Sequence, residues 1–491
     1  MSPQPHANSP TAFEGLQPER VWAHFATLCA IPRPSKGEAR LRDHLKDWAS
    51  SRRLDTQVDR AGNLIVRKPA AAGREAARCV GLQAHLDMVC QKNAGSTHDF
   101  NRDPITVVRR EGWIAAPETT LGADNGLGVA LMLAVLEADD LSHGPLEALF
   151  TVDEEAGMDG ARGLEPDALH ARLMLNLDTE AWGEFYLGCA GGMDVNVDRN
   201  GPAEPVPAGH AVLRVEVRGL RGGHSGVDIH EERGNAIKLL VGILRDLEAR
   251  VPLRLAALEG GSARNALPRE AFATIAVPGS DVAAIEERIS ELATRLADAI
   301  AEVEPALAVT VAGAEANAVM ALSEQAVWLR SLHAAPHGVR RMSRSVPGVV
   351  ETSNNLGMVA LTAAGGHCNF LVRSLRDDAM RTLAAEIVDL FALSGTVART
   401  AGHYPGWTPD PRSPLLATCQ EVFRREFGSE SRVQVIHAGL ECGLIAAKYP
   451  RLDIVSFGPT IRGAHAPGEA VEIASVENTW RLLSAVLGAI D

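Results

Sequence analysis

Cys79-Val-Gly-Leu-Gln-Ala-His85 is the stretch on which the reading of the fold turns. Residues 79–84 carry no charge and run directly into a histidine, the pattern of a buried strand that ends on a reactive group. Two other segments behave alike. Leu146-Glu-Ala-Leu-Phe-Thr-Val152 reads as a strand ending at Asp153-Glu154-Glu155, and residues 173–177 as a strand ending at Asp178. Ahead of these two lies a polar insertion around residues 93–103, followed by a helix over 125–138. That helix begins directly after Asp124, where the helix dipole favours negative charge. Strand–helix alternation of this kind means an α/β fold. Such sheets gather their ligands at the C-terminal ends of the strands, which is where His85, Glu155 and Asp178 fall.

Outward from this centre, helical spacing covers 19–28 and 38–50, and a short β-like run covers 63–67. From about residue 205 the texture changes. Strands are expected at 210–219, 271–277, 348–362 and 367–374, with helices at 235–249, 281–303 and 377–394. This reads as two related α/β halves filling 206–397. A proline-rich segment, 405–414, leads back to α/β patterning, with helices at 414–427 and 442–448, strands at 432–436 and 453–457, and a last helix from about 475. The expected organisation is a disordered tail over 1–17 and one domain made of 18–205 and 398–491, interrupted by an inserted domain over 206–397.

Composition narrows the function. Of 491 residues 46% are hydrophobic and 22% charged, a globular balance that excludes a fibre or a wholly disordered chain. Acids outnumber bases, 62 to 48, and the formal charge of -14 argues against nucleic acid as a partner. Seven cysteines, scattered from 29 to 442 without a Cys-x-x-Cys pair, fit a reducing, cytoplasmic setting. No secretory signal is expected at the N-terminus. The longest near-apolar stretch, 126–136, is far short of the roughly 20 residues that span a bilayer, so no membrane association is expected.

Five potential metal ligands stand at strand ends or in loops: His85, Asp124, Glu155, Asp178 and His465. Two imidazoles and three carboxylates suit Zn²⁺, Mn²⁺ or Co²⁺. One shared carboxylate with two ligands on each side would suit two ions roughly 3.5–4 Å apart. His85 and Asp87 are two apart and face the same way on an extended strand, so Asp87 can accept the second ring N–H of His85. Of the adjacent Glu154 and Glu155, one can ligate while the other takes a proton from water. Each residue alone has an ordinary reading: Asp124 as a helix cap, Asp178 as a turn residue, 153–155 as a solvated turn, His465 as a loop histidine. It is their convergence on one sheet that points to a site.

The motifs Gln83-Ala-His-Leu-Asp-Met-Val89, Thr120-Leu-Gly-Ala-Asp-Asn-Gly126, Thr151-Val-Asp-Glu-Glu-Ala-Gly157, Leu175-Asn-Leu-Asp178, Arg221-Gly-Gly-His-Ser-Gly226 and His465-Ala-Pro-Gly-Glu469 follow in an order that resembles the M20 metallopeptidase family. Insert length, Ser353-Asn-Asn-Leu-Gly357 and Tyr404-Pro-Gly-Trp407 resemble its aminoacyl-histidine dipeptidase branch most. The resemblance implies a mixed-sheet zinc-peptidase domain interrupted by an α/β lid domain. It implies two divalent ions, zinc foremost, with Asp124 shared, His85 and Asp178 on one ion and Glu155 and His465 on the other. Glu154 would be the general base acting on a water between the ions, and Asp87 would orient His85. His224 would be the lid histidine that stabilises the oxyanion, and Asn265 and Arg373 would hold the substrate's carbonyl and terminal carboxylate. For His224 the plain alternative is a cap on the helix that follows, and for Arg373 a surface ion pair. The family's usual His-Ser-Pro here reads His465-Ala-Pro, which removes a hydroxyl beside a ligand.

The activity implied is hydrolysis of dipeptides, including Xaa-His and β-alanyl-histidine, by a chain that can form a homodimer. The rivals are carboxypeptidase, aminoacylase or deacetylase action on N-acyl amino acids, and a catalytically silent binding protein. Three features are discounted. Residues 122–128 lack the glycine pattern of a phosphate loop. Arg340, Arg341 and Arg344 form a run too short for nucleic acid. His437 beside Glu441 and Cys442 reads as a packed loop and not as a thiol nucleophile.

Overall fold

The structure, a computed structural model, describes residues 12–491. The chain divides into two compact units. One comprises the chain up to Gly188 with Pro409–Val435 and Leu440–Asp491, and the other Cys189–Thr408 with Ile436–Gly439.

In the first unit an eight-stranded sheet is built in the order Asp55–Val58, Leu64–Lys68, Leu146–Thr151, Val80–His85, Leu173–Asn176, Asp453–Ser456, Glu184–Cys189, Arg432–Ile436. Its four middle strands are parallel, with His85 level with Thr151 and Gln83 level with Asn176. Strand Val80–His85 is buried at every position, as a strand covered on both faces must be. The helix Ala123–Glu137 is apolar all round and has thirteen of its fifteen residues buried. It lies against Glu19–Ala30 and against strand Val80–His85. The α/β expectation therefore holds, and the C-terminal ends of the parallel strands share one edge.

The second unit holds a nine-stranded antiparallel sheet. Its continuous path runs Ala308–Gly313, His210–Arg218, Ala271–Pro278, Arg254–Gly260, Val350–Thr362, Gly365–Ser374, Gly191–Asn200, Val397–Tyr404, and Gly338–Met342 pairs on Val350–Thr362. Numbered within the segment 210–313, the first four strands lie in the order fourth, first, third, second, with helices Ala236–Glu248 and Val282–Ile300 as the connections. The remaining strands repeat that order in mirror sequence, with helices Leu322–Ala334 and Asp377–Ala392. The halves join where their second strands pair antiparallel, Leu258 to Leu361 and Gly260 to Val359, as two copies would across a two-fold axis. The first half is nested between the first strand and first helix of the second.

This nesting explains where the sequence reading and the structure part. Gly191–Asn200 and Val397–Tyr404 are hydrogen-bonded into the second unit's sheet, so the units divide at 188/189 and 408/409, outside the expected 205 and 397. Gly191–Asn200 carries the acids Asp194 and Asp198 within a stretch that the sequence reading places in the first domain. Inside the sheet Asp194 is paired with Arg264 at 2.7 Å and accepts from Asn369. Of the expected tail over 1–17, residues 1–11 lie outside the described residues. Ala12 and Leu16 are buried against the first unit's core, and Phe13 stacks near Trp22 and Phe25. Among the described residues no helix is long and apolar enough to cross a membrane.

The seam between the halves depends on Gly261, whose φ is +69° and whose added Cβ would lie 1.9 Å from the Gly357 carbonyl oxygen. Gly261→Ala should therefore lower the thermal midpoint, combining a left-handed backbone cost of about 1–2 kcal/mol with a backbone clash. Calorimetry would check it, and an unchanged melt would contradict this packing.

Candidate metal centre and active site

Asp124 stands between two imidazoles. Its Oδ1 is 3.2 Å from His85 Nε2, and its Oδ2 is 3.1 Å from His465 Nε2. His85 Nε2 also lies 3.3 Å from Asp178 Oδ1, and His465 Nε2 3.1 Å from Glu155 Oε1. His85 ends strand Val80–His85. Asp124 opens helix Ala123–Glu137, where the Asp124–Asn125 peptide is cis. Glu154 and Glu155 follow strand Leu146–Thr151, Asp178 lies two residues past Leu173–Asn176, and His465 sits in the hairpin between Ile461–Arg462 and Ala470–Glu472. All five expected ligands thus come together, in two sets that share Asp124. His85, Asp124 and Glu155 also each offer one atom within 4.8 Å of the others.

The supports behind these residues were only partly legible. Asp87 is fully buried. Its carboxylate accepts from the backbone N–H of Glu154 and Glu155 at 3.0 and 3.1 Å and from Ser35 Oγ at 2.8 Å, and it lies 3.4 Å from His85 Nδ1. It therefore fixes the 154–155 turn as well as the histidine. Buried Arg33 donates to the carbonyls of Leu86, Asp87 and Gly122, tying the His85 strand end to the Asp124 turn. Glu469 accepts four backbone N–H groups, those of Leu121, Gly122, Ala123 and Asp124, at 2.7–3.2 Å. Asn125 donates to Asp178 at 2.6 Å. Beneath the site Glu441 accepts from Gln83 at 2.7 Å and from Thr151 at 2.5 Å. Sequence motifs contained Gln83, Asn125 and Glu469, but no spacing rule assigns them these partners. Arg33 lay in no motif at all.

The electrostatics fit the binding of divalent cations. Burial alone would lower His85, yet Asp178, Asp124 and Asp87 raise it well above the usual imidazole range. Hydrogen bonds to Asp124 and Glu155 push His465 up to about 11. Burial, with the Asp124 and Glu155 charges, pushes Asp178 up to about 6. Burial and the Asp178, Glu155 and Glu441 carboxylates raise Glu154 well above its usual value despite the opposing His85 charge. Burial likewise carries Glu441 to about 8. His85 Nε2 faces two carboxylate oxygens with one hydrogen to give, and His465 Nε2 likewise stands between Asp124 Oδ2 and Glu155 Oε1. A crowded cluster in which each imidazole N–H is shared between two carboxylate oxygens is one that divalent cations would satisfy.

In the second unit His224 Nδ1 accepts from the N–H of Gly226 and Val227 at 3.2 and 3.0 Å, so the ring hydrogen is on Nε2. The ring thus braces the 226–227 turn, and its Nε2–H is left free to donate. The following helix, Ala236–Glu248, is capped by Asn235 instead. Burial and neighbouring Arg373 hold the ring down at about 4, so it stays neutral. The Asn265 carbonyl accepts from Ser225 N–H beside His224, and the Asn265 side chain is exposed. Arg373 is 4% exposed and has no carboxylate partner among the described residues, which replaces the surface ion pair weighed for it. Its Nη1 donates to Tyr404 Oη at 2.8 Å, and its Nη2 lies 3.4 Å from His224 Nε2. His437 meets Ser353 Oγ at 2.8 Å. Cys442 is buried, as expected.

Imidazoles and carboxylates gathered round one aspartate at the C-terminal edge of a parallel sheet are the donor set of a metal centre in an α/β protein. Residues 81–489 match the model of peptidase family M20/M25/M40. The cytosol non-specific dipeptidase of Escherichia coli (strain K12) is 44% identical over 476 residues, 97% of this chain and 98% of its own. The crystal structure of aminoacylhistidine dipeptidase from Vibrio alginolyticus superposes with a TM-score of 0.91 at 41% identity, covering 98% of each chain. Aminopeptidase PepT from Bacillus cereus ATCC 10987 shares the fold at a TM-score of 0.56 and 16% identity, covering 96% of this chain and 99% of its own. The chain belongs to peptidase family M20/M25/M40.

Two measurements follow from the site. Glu469→Gln puts an amide NH₂ against backbone donors that now meet a carboxylate, so metal affinity in chelator competition should fall roughly 10–100-fold. Unchanged affinity would show that the turn holds itself. His437 is held down at about 3 by burial, then by Arg373, His224 and His230. A histidine kept neutral when folded and free to protonate when unfolded costs nothing above pH 6.5, and costs stability as pH falls below it. By pH 5 the cost is about 2 kcal/mol. The melting difference between wild type and His437→Gln should therefore move in favour of the variant between pH 7.5 and 5, and a pH-independent difference would contradict the burial.

Proposed function

We propose that this peptidase is a dipeptidase that hydrolyses small dipeptides, those with C-terminal histidine such as β-alanyl-histidine included. The observation that carries this is the shared Asp124 between two imidazole–carboxylate sets. It is supported by end-to-end similarity to two proteins named as dipeptidases, one of them as cytosolic, which favours a cytoplasmic setting here as well. His85, Asp178 and one oxygen of Asp124 would hold one divalent ion, and His465, Glu155 and the other oxygen a second. Zinc suits this set best, and manganese or cobalt is also accommodated. When bound, such ions polarise a carbonyl and make water acidic enough to attack near neutral pH.

The chain's own groups do the rest. Glu154 takes the proton of the attacking water and returns it to the leaving amine; the burial and neighbouring carboxylates that raise its affinity for a proton suit that relay. Asp87 keeps Glu154 and Glu155 in place through their backbone N–H groups and orients His85. His224, neutral with a free Nε2–H, donates to the oxyanion without bringing a proton of its own. Arg373 binds the substrate's terminal carboxylate, and Asn265 its carbonyl.

The test is release of free histidine from β-alanyl-histidine, with added Zn²⁺, Mn²⁺ or Co²⁺ and with a chelator. Chelation should abolish turnover, and Glu154→Gln should lower kcat by roughly 10²–10⁴ with metal content kept. Cleavage of N-acyl amino acids with dipeptides untouched would overturn the dipeptidase reading.

A further inference from the structure

Arg373 is a buried cation whose donors are only partly used. A buried guanidinium is costly unless paired, yet the groups around Arg373 are all neutral: Tyr404 Oη, Ser225 Oγ at 3.4 Å and His224. His224 Nε2 carries its ring hydrogen and cannot accept. Donors are thus left over, and an anion is the group they lack. What keeps the guanidinium in one plane is Tyr404. Arg373, Gly192 and Tyr404 are neighbours across three adjacent strands, Arg373 paired with Gly192 and Gly192 with Tyr404. The tyrosine ring lies over the glycine so closely that a Cβ there would come within 2.5 Å of Cζ and Oη. Glycine at 192 therefore makes the space through which the hydroxyl reaches Nη1. A carboxylate in that place would orient Arg373 equally well but would neutralise it. A phenol orients it and leaves its charge available.

Resting on the reading of Arg373 as the receptor of the substrate's carboxylate, we propose that Tyr404, seated over Gly192, is a positioning residue that presents Arg373 as an unneutralised anion receptor and so sets the preference for dipeptides with a free C-terminal carboxylate. Sequence patterning singles out Tyr404-Pro-Gly-Trp407 without giving it a task, and this is the task the geometry assigns to its first residue.

The test compares β-alanyl-histidine with its C-terminal amide in wild type, Tyr404→Phe and Arg373→Ala, each loaded with metal and checked by circular dichroism. Tyr404→Phe should raise KM for the free acid roughly tenfold, the scale of one hydrogen bond to a charged group, with kcat within about twofold. The acid-over-amide preference should fall by the same factor, and Arg373→Ala should remove it. An undiminished preference in Tyr404→Phe overturns the proposal, as does a loss confined to kcat. A preference that survives Arg373→Ala overturns the carboxylate reading on which it rests. A wild type inert toward the free acid overturns the dipeptidase reading. Should Tyr404→Phe not fold, Gly192→Ala, which crowds the ring and keeps the hydroxyl, is read in the same way.

Discussion

Asp124 gives one oxygen to each of two histidines because the backbone that carries it cannot turn away. Glu469 holds the four N–H groups of 121–124 with its two oxygens, and Arg33 holds the carbonyl of Gly122 from the other side. Glu469 belongs to the loop that bears His465, and Arg33 also grips the carbonyls of Leu86 and Asp87 just past His85. The two imidazoles and the aspartate between them are therefore one braced assembly. The carboxylates that crowd it, Glu154, Glu155 and Asp178, are placed by the ends of parallel strands whose register is set deep in the sheet.

Much of this is written in the sequence because a parallel α/β sheet converts strand ends into a common edge. Uncharged runs that stop on His85, on 153–155 and on Asp178 needed only to be recognised as neighbouring strands for their acids to converge. The braces are another matter. Glu469 acts on residues some 345 positions away through backbone groups, and backbone donors leave no mark in a sequence. Arg33 has the composition of a surface residue and becomes a core residue only because three carbonyls are arranged around it. The second unit was read in outline, with its duplication visible as a recurring strand–helix order. Its limits were misplaced because Gly191–Asn200 hides its place in the sheet behind acids satisfied across strands, and because the first half is nested inside the second. Residues 12–16, Ala-Phe-Glu-Gly-Leu, belong to the fold and not to the expected tail, because Ala12 and Leu16 are buried and Phe13 packs beside Trp22 and Phe25.

The second unit repeats one topology and joins the copies at an antiparallel seam, so symmetric association has been built into a single chain. The residues proposed to meet the substrate are drawn from both halves. His224 and Asn265 come from the nested half, Arg373 and Tyr404 from the enclosing one. His224 Nε2 and Arg373 Nη2 still lie 3.4 Å apart, and burial with the neighbouring guanidinium keeps the imidazole neutral. On the proposed reading the neutral donor would meet the oxyanion and the unpaired cation the carboxylate.

The measurement that bears most directly on this account is the number of divalent ions held per chain, by elemental analysis after dialysis against zinc and metal-free buffer. Two ions in the wild-type chain, with both lost in Asp124→Ala while the fold persists, is the expected result. A chain that holds none, or an Asp124→Ala variant that keeps both, would contradict the shared aspartate on which the whole account rests.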